Sequence, residues 1–216
     1  MKRICVTGGI ACGKSSVGVC LREFGARIID ADEVCHELFR QGGPLTDGII
    51  AVFGRGVLNR KGGIDRRALG RIVFADGVKR RKLNAIVHPE ARRAINAWLK
   101  LQSADCGKKR GCREIGAGIA AVLVPLAYEA GWETGWDAII CVAAPLSVQI
   151  SRLVKKGFSE NEARARIAAQ MPLAEKTIKA DYVIFNAGTL EGLRQQAGKV
   201  FRSINQSRRE RNHGLY

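Results

Sequence analysis

Two kinds of apolar pattern alternate along this chain. Short, continuous apolar runs predict buried strands at about residues 3–7, 26–29, 119–124, 138–142 and 182–185. Segments with helical periodicity predict helices at about residues 14–24, 66–74, 89–101, 151–179 and 190–205. Strands that alternate with helices are typical of an α/β protein with a parallel sheet, so we predict that fold class.

A glycine-rich segment follows the first predicted strand. Residues Gly8 to Ser15 read G-x-x-x-x-G-K-S, the pattern of a phosphate-binding loop (P-loop). Glycines there let backbone N–H groups point at phosphate oxygens, Lys14 can reach the β- and γ-phosphates, and the Ser15 hydroxyl can bind Mg²⁺. The alternative is a glycine-rich turn that opens an ordinary helix. Motif and context favour a nucleoside triphosphate site. The loop residues expected to hold ATP are Gly9, Ala11, Cys12, Gly13, Lys14, Ser15 and Ser16.

Two carboxylates follow the second predicted strand. In an open parallel sheet, right-handed crossovers bring Asp30 and Asp32 to the edge that also carries the P-loop. Phosphoryl transfer needs a group that orients the nucleophile, and Asp32 is the candidate to accept the proton of an acceptor hydroxyl. Asp30 would support it or serve as an outer-shell Mg²⁺ partner. The alternative for Asp32 is an N-cap of a helix over 33–40.

The stretch from 33 to 113 lacks strong strand patterns. Residues 55–93 carry twelve basic and three acidic side chains, which predicts a helical insert that faces an anionic ligand. His88 precedes Pro89 at a predicted helix start, where a structural role and acceptor binding are both open. Residues 107–111 are predicted to form an exposed basic loop.

A second helical and basic stretch covers 151–179. Ser159 to Glu162 form a capping box that opens a helix, and Pro172 is expected to close it. The basic side chains are candidates to hold the transferred phosphoryl group, although a charged helix is usually a solvated face. They are Arg152, Lys156, Arg164 and Arg166.

This arrangement is typical of a small-molecule P-loop kinase. One insert would hold the acceptor, and the other would be a lid that closes over ATP and excludes water. We therefore expect a nucleotide-binding core of 1–33, 114–150 and 180–216, an acceptor-binding insert of 34–113 and a lid of 151–179. The tail from Ser207 is polar and is expected to fray.

Charge and cysteine usage limit the partners. The chain has 36 basic and 20 acidic residues, a net charge of +16, which suits phosphorylated small molecules or nucleic acid. A basic surface kept for solubility is the alternative for most of this excess. The seven cysteines form no C-x-x-C pair, which argues against disulfide or metal frameworks and fits a reducing cytoplasm. Cys12 lies near a helix N-terminus, where a thiol pKa can fall, although a filler role is the simpler interpretation.

Several blocks in this order resemble the dephospho-CoA kinase family. The resemblance runs from Ile4 to about Gln196. The D-A-D, H-P and Q-M-P blocks are specific, whereas the P-loop is generic. The matching segments are Thr7–Ile10 with Gly13–Ser15, Ile29–Asp32, Ile64–Gly70, Leu83–Glu90, Val124–Leu126 with Glu129, Arg166–Pro172, Glu175–Lys176, and Ala180–Ile184 with Asn186 and Gly188.

The resemblance implies transfer of the ATP γ-phosphate to the ribose 3′-hydroxyl of dephospho-CoA, the last step of coenzyme A synthesis. It implies that Asp32 is the base and that Arg152 and Arg166 are the favoured lid cations. The small-molecule acceptor would meet Thr7, Arg67, His88, Pro125 and Leu126, and adenine would lie beside Asn186 and Gly188.

Three positions depart from the family pattern. Ala11-Cys12 stands where Gly-Ser is common, and alanine suits that position only if it does not need a positive φ. Ala127-Tyr128 replaces a typical Leu-Phe. Residues 155–157 are one residue short and lack an arginine, so Lys156 is a weaker phosphate ligand there.

Two rival functions remain open at this point. One is a P-loop kinase for another hydroxyl acceptor, such as a nucleoside or a sugar acid. The other is a nucleic-acid-binding NTPase. The sequence has no aromatic-rich basic motif of the RNA-binding kind, which argues against this second rival. No secretory or membrane-spanning pattern is recognised. We expect a cytoplasmic enzyme, monomeric or weakly oligomeric, with no nucleic-acid or membrane partner.

Overall fold

The apolar runs form one five-stranded sheet in the order β2-β3-β1-β4-β5. The computed structural model describes residues 1–40, 43, 45–108 and 118–213. Strand β1 pairs in parallel with β3 and β4, and β4 pairs in parallel with β5. The α/β fold with a parallel sheet is therefore confirmed. The strands are β1 Lys2–Gly8, β2 Arg27–Asp30, β3 Ile119–Leu123, β4 Ala138–Ala143 and β5 Tyr182–Phe185.

Burial explains the continuous apolar strand pattern. Every residue of β3 and β4 is buried, as expected for central strands covered on both faces. In the register of β1, Ile4 lies opposite Ala121 of β3 and Ala138 of β4, so a branched side chain is flanked by two small ones in this row. This register places the carboxyl ends of β1, β3 and β4 at one edge, where the P-loop begins.

Nine α-helices are present in the described residues. Within those residues, no helix is both long and apolar enough to cross a membrane. The helices are α1 Lys14–Glu23, α2 Ala31–Leu38, α3 Thr46–Phe53, α4 Arg66–Ala75, α5 Gly77–Lys108, α6 Leu146–Val154, α7 Glu160–Ala168, α8 Leu173–Lys179 and α9 Leu190–His213.

Contacts divide the chain into two compact units, 1–29 with 101–216 and 30–100. In the first unit α1 packs against α9, where the rings of Phe24 and Phe201 lie 5.6 Å apart. Gly25 follows α1 with a φ of 93°, the left-handed conformation that ends many helices.

The second unit is helical, as the weak strand pattern predicted. Among its described residues the only extended pairing is one bridge between Leu58 and Ile64. Its core is a separate apolar cluster that includes Leu45, Ile49 and Val87. Asp65 caps α4, because its carboxylate accepts from the backbone N–H groups of the two residues after Arg66.

Several predicted boundaries were wrong. Pro89 lies inside α5, which begins at Gly77 because Asp76 accepts from the Val78 N–H at 2.8 Å and caps an earlier start. Helix α7 ends at Ala168, and Pro172 instead precedes α8. Helix α9 continues through the predicted frayed tail to His213. Gly107 and Lys108 are helical, and the rest of the predicted basic loop lies outside the described residues.

Candidate active site

The P-loop joins β1 to α1, and close packing requires its glycines. Gly13 has a φ of 96°, and a Cβ there would lie 2.1 Å from the Asn186 amide nitrogen. A Cβ on Gly9 would lie 2.9 Å from the Cys12 sulfur and 3.1 Å from the Gln149 side-chain oxygen. Any larger residue would displace neighbouring groups. The loop backbone therefore lies against side chains from later parts of the chain.

Ala11 has a φ of 58° and is the only non-glycine residue with a positive φ in the described part of the chain. The left-handed conformation costs an L-residue about 1–2 kcal/mol. The surrounding contacts must supply that energy. The expectation that alanine could occupy this position only without a positive φ was therefore wrong.

Two polar side chains hold the backbone at this strained residue and at the residue after it. The Arg152 guanidinium donates through Nη1 to the carbonyl oxygens of Ala11 at 3.0 Å and Cys12 at 3.3 Å. Its Nη2 donates to the Asn186 carbonyl oxygen at 3.2 Å. The buried Asn186 side chain donates to the Cys12 carbonyl oxygen at 2.8 Å. Arg152 and Asn186 thus form a clamp on residues 11–12.

A third side chain fixes the preceding residue. The backbone N–H of Ile10 donates to Oε1 of Gln170 at 3.0 Å. Ile10 and Ala11 also pack against an apolar cluster of Ile150, Leu153 and Ala163. The loop conformation is therefore set by the segment of α6 and α7 as much as by its own glycines.

The Lys14 ammonium group lies at the start of the loop. It donates to the carbonyl oxygens of Gly9 at 3.2 Å and Gly8 at 3.4 Å. Ser15 is exposed in the first turn of α1, which has neither an acidic residue nor a side-chain cap among its described contacts. The backbone N–H groups of this turn and the positive end of the helix dipole suit an anion. A serine hydroxyl fits Mg²⁺, which keeps water and phosphate ligands besides one or two protein oxygens.

The geometry does not favour a reactive thiol at Cys12. The side chain is fully buried, and burial raises the thiol pKa, while the positive charges of Lys14 and Arg152 only partly oppose the rise. The possible depression of this pKa near a helix N-terminus was wrong. Cys12 is a packing residue, as the simpler interpretation held.

The end of β1 meets the turn after β3. The hydroxyl of the buried Thr7 donates to the Pro125 carbonyl oxygen at 3.4 Å. Leu126, next to it, is 43% exposed. Three predicted acceptor residues, Thr7, Pro125 and Leu126, are thus adjacent at the edge where the P-loop begins.

The second unit carries the other predicted acceptor residues. Asp30, not Asp32, is the N-cap of α2, because its carboxylate accepts from the Asp32 N–H at 2.8 Å. The alternative that Asp32 caps a helix was therefore wrong, and its carboxyl group is exposed in the first turn. Burial, and then the charge of Asp32, raise the pKa of Cys35 to about 11.

Arg67 and His88 lie on different helices of this unit. Arg67 is exposed in the first turn of α4. His88 is half-buried within α5, and burial, with a smaller effect of the nearby Arg92, lowers its pKa. A neutral imidazole at neutral pH can both donate and accept a hydrogen bond.

The lid cations make varied contacts. The Arg166 guanidinium lies 4.2 Å from the centre of the Phe158 ring, and Arg164 pairs with Glu160 at 2.7 Å. Lys156 is exposed. Gly188, predicted beside adenine, is also exposed. The Ser159–Glu162 capping box is confirmed.

Four residues of this site were missed as functional residues. They are Gln149, Gln170 and the pair of Glu129 with Lys176, of which Gln149 holds the Ala144 carbonyl oxygen at 2.9 Å. Gln170, Glu129 and Lys176 were part of the family resemblance, but no periodicity or spacing assigns them a contact. Within the described residues, no cluster of three or more His, Cys, Asp or Glu side chains could hold a metal ion.

A P-loop on a parallel sheet, with its lysine beside the loop carbonyls, defines the class of P-loop kinases and related nucleotide-binding enzymes. The family model for dephospho-CoA kinase matches residues 3–192. The chain belongs to the dephospho-CoA kinase family. The resemblance predicted from the motif blocks is confirmed, and so is the class of enzyme, an ATP-dependent kinase that acts on a hydroxyl group.

Curated relatives and solved structures agree. A dephospho-CoA kinase from Symbiobacterium thermophilum is 43% identical over 94% of this chain and 81% of its own. One from Aquifex aeolicus is 38% identical over 94% and 98%. The crystal structure of TT1252 from Thermus thermophilus has a TM-score of 0.75 at 32% identity, with 94% and 96% of the two chains covered. Dephospho-CoA kinase from Campylobacter jejuni has a TM-score of 0.68 at 27% identity, with 95% and 98% covered.

Proposed function

We propose that this chain transfers the γ-phosphoryl group of ATP to the ribose 3′-hydroxyl of dephospho-CoA, which gives CoA and ADP. The observation that carries the proposal is a P-loop with Lys14 held at the Gly8 and Gly9 carbonyl oxygens, in a chain of this family. In the reaction the bond from the γ-phosphorus to the β-phosphate oxygen breaks, and a bond to the 3′-oxygen forms. ADP leaves with the electron pair.

The donor half of the site lies in the first unit. The N–H groups of the P-loop and the first turn of α1 are directed to the phosphates, and Lys14 neutralises the terminal ones. Ser15 would hold Mg²⁺, which neutralises the charge that develops between the phosphates. The adenine ring would lie beside the segment of Asn186 and Gly188.

The acceptor half includes Asp32 as the base. Its carboxylate would take the proton of the 3′-hydroxyl as the new bond forms and return it to water. This role is supported by the family motif Ile29–Asp32 and by the finding that Asp30 rather than Asp32 caps α2. The other proposed acceptor contacts are Thr7, Arg67, His88, Pro125 and Leu126.

Residues 151–179 would act as the lid. Arg166 would leave the face of Phe158 to meet the transferred phosphoryl group. Arg152 has five N–H groups, of which three are used on carbonyl oxygens, so two remain for the phosphoryl group.

An acceptor-dependent assay of ADP release tests this function. Purified protein with ATP and Mg²⁺ should release ADP when dephospho-CoA is added, and mass spectrometry of the product should locate the new phosphate on the 3′-oxygen. Lys14→Ala should lose both nucleotide affinity and rate. Release of ADP with a nucleoside or a sugar acid, and none with dephospho-CoA, would support the rival kinase.

The remaining expectations stay predictions. Cys5, Cys12, Cys20, Cys35 and Cys141 are free thiols, which supports a reducing compartment such as the cytoplasm. The proposed enzyme is a monomer or weak oligomer without a nucleic-acid partner. Sedimentation, and titration with RNA at two salt concentrations, test these two points.

A further inference from the structure

The Gln170 side chain has a fixed orientation beside the P-loop. Its Oε1 accepts from the Ile10 N–H at 3.0 Å, and only the carbonyl end of a carboxamide can accept from an N–H group. The opposite end of the same group is therefore the Nε2 amino group, with two N–H donors. Gln170 is half-buried.

The backbone next to Gln170 is also anchored. The Met171 N–H donates to Oε1 of Glu129 at 3.0 Å, and the same carboxylate lies 2.6 Å from the ammonium group of the buried Lys176. On the other side, Ile167 at the end of α7 packs on the apolar cluster that also contacts Ile10. Gln170 is thus held from both sides, and its position relative to the loop is set by the fold.

The carboxamide lies at the terminal-phosphate end of the loop. Ile10 directly follows Gly8 and Gly9, whose carbonyl oxygens hold the Lys14 ammonium group. Lys14 is the group that reaches the β- and γ-phosphates. A donor held at Ile10 is therefore next in the chain to the two residues that hold the Lys14 ammonium group.

We propose that Gln170 is a phosphate-binding residue whose Nε2 amino group donates to a γ-phosphate oxygen of bound ATP, while the Ile10 N–H holds its orientation. The proposal rests on the proposed function only in that a nucleoside triphosphate occupies the P-loop. A neutral donor in this place distinguishes ATP from ADP, because ADP has no oxygen there. It would also hold the phosphoryl group during transfer without adding charge.

Replacement by glutamate separates this role from a purely structural one. In Gln170→Glu a carboxylate oxygen still accepts from the Ile10 N–H, so the loop contact stays, but the donor becomes an anion that repels phosphate. In Gln170→Ala both the contact with the Ile10 N–H and the N–H donors are lost. If Gln170 only holds the loop, with its Nε2 end directed away from the phosphates, Gln170→Glu is the more active variant. If it donates to phosphate, Gln170→Glu is the less active one.

Calorimetry measures how both variants bind ADP and the non-hydrolysable imido analogue of ATP. Initial rates give kcat for dephospho-CoA phosphorylation. Asn161→Asp, exposed in the first turn of α7, adds the same charge to the same segment as a control. Thermal unfolding of each variant checks the fold. We expect Gln170→Glu to bind ADP within about twofold of the parent, because no γ-oxygen is involved, and the analogue at least about tenfold more weakly. Its kcat should fall below that of Gln170→Ala.

Equal weakening of ADP and analogue binding by Gln170→Glu, or parental binding of both, would overturn the proposal. So would a Gln170→Glu variant more active than Gln170→Ala. The binding comparison does not use the acceptor. A parent that prefers the triphosphate analogue but releases no ADP with dephospho-CoA would contradict the proposed function and leave this inference intact.

Discussion

The ammonium group of Lys176 lies 2.6 Å from the Glu129 carboxylate, and the lysine side chain is wholly buried. The contact satisfies the distance of an ion pair but lacks the geometry of a hydrogen bond, so the attraction is mainly between the two charges. The Glu129 side chain is 22% exposed and also accepts from the Met171 N–H. The Glu129 carboxylate therefore neutralises the buried ammonium group of α8 and also holds the backbone of Met171, just before that helix.

Loss of the Glu129 charge should destabilise the protein strongly. Glu129→Gln leaves the Lys176 ammonium buried and uncompensated, and we expect unfolding free energy to fall by about 3–5 kcal/mol. Lys176→Met should cost less, because the carboxylate that remains can reach water. Urea denaturation measures both.

The matched control is the exposed pair of Lys179 and Glu133, at 3.3 Å. Glu133→Gln should change the unfolding free energy by less than about 1 kcal/mol, because exposed ion pairs contribute little. A Glu129→Gln variant as stable as Glu133→Gln would show that the Glu129 charge does not offset the cost of burying the Lys176 ammonium group.

Arg152 offers a second test, because its two possible roles affect different kinetic constants. Arg152→Lys keeps the charge, but one ammonium group cannot span the three carbonyl oxygens of the clamp. If the clamp sets the loop, affinity for ADP and ATP should fall together by about tenfold, which corresponds to loss of a charge-assisted hydrogen bond. Calorimetry with each nucleotide measures this.

A lower kcat with an unchanged affinity for ADP would instead show that Arg152 acts only on the transferred phosphoryl group. Arg164→Lys provides the control, since Arg164 is exposed and pairs with Glu160 on the same helix. That variant should behave like the parent in both measurements.

The strained backbone at Ala11 predicts an order of stability among substitutions. Valine is the least tolerant of a positive φ, so Ala11→Val should lose about 2 kcal/mol or more of unfolding free energy. In Ala11→Gly, relief of strain is offset by the freedom gained in the unfolded chain, so the change should stay within about 1 kcal/mol. Thermal unfolding of the two variants measures the order, and a Val variant as stable as the parent would contradict it.

The sequence was sufficient for the sheet, because each strand is a short apolar run with glycine, proline or a charged group at its end. The P-loop was evident for the same reason: its pattern is local and its spacing is fixed by phosphate geometry. Helix boundaries were predicted less well. The start of α5 was missed because Asp76 caps it thirteen residues before Pro89, and periodicity alone did not reveal that cap.

The side chains that hold the P-loop could not be predicted. Arg152, Gln170 and Asn186 contact residues 10–12 across separations of more than a hundred residues in the chain. Such contacts depend on how α6 and the segment after α7 pack beside the loop and on the position of β5 in the sheet, which no local pattern encodes. For the same reason the sequence allowed a reactive Cys12, whereas burial raises the pKa of its thiol.

The proposed base can be separated from its capping neighbour by paired substitutions. Asparagine is as good an N-cap as aspartate, so Asp30→Asn should keep α2 and most of the activity. Asp32→Asn removes the carboxylate and should lower kcat at least about a hundredfold, the usual contribution of a general base. ATP affinity should be unchanged. Initial rates with dephospho-CoA measure both, and an Asp32→Asn variant with parental kcat would exclude Asp32 as the base.

The half-buried His88 should make the protein less stable in acid. In the folded chain, burial and the positive charge of Arg92 lower the pKa of this imidazole below its usual value of 6.5. The unfolded chain therefore binds the proton first as the pH falls. The contribution of neutral His88 is complete above about pH 6.5 and is lost as the pH falls toward the lowered pKa.

Two variants and one titration test this dependence. His88→Gln cannot take up a proton, so its unfolding free energy should fall less than that of the parent between about pH 7.5 and pH 5. Arg92→Gln removes the charge that opposes protonation, so the His88 ring signals in NMR should titrate at a higher pH than in the parent. Burial, the larger cause, remains in that variant, so the midpoint should still lie below 6.5. A parental midpoint at or above 6.5, or equal acid sensitivity of His88→Gln and the parent, would show that His88 does not cause the loss.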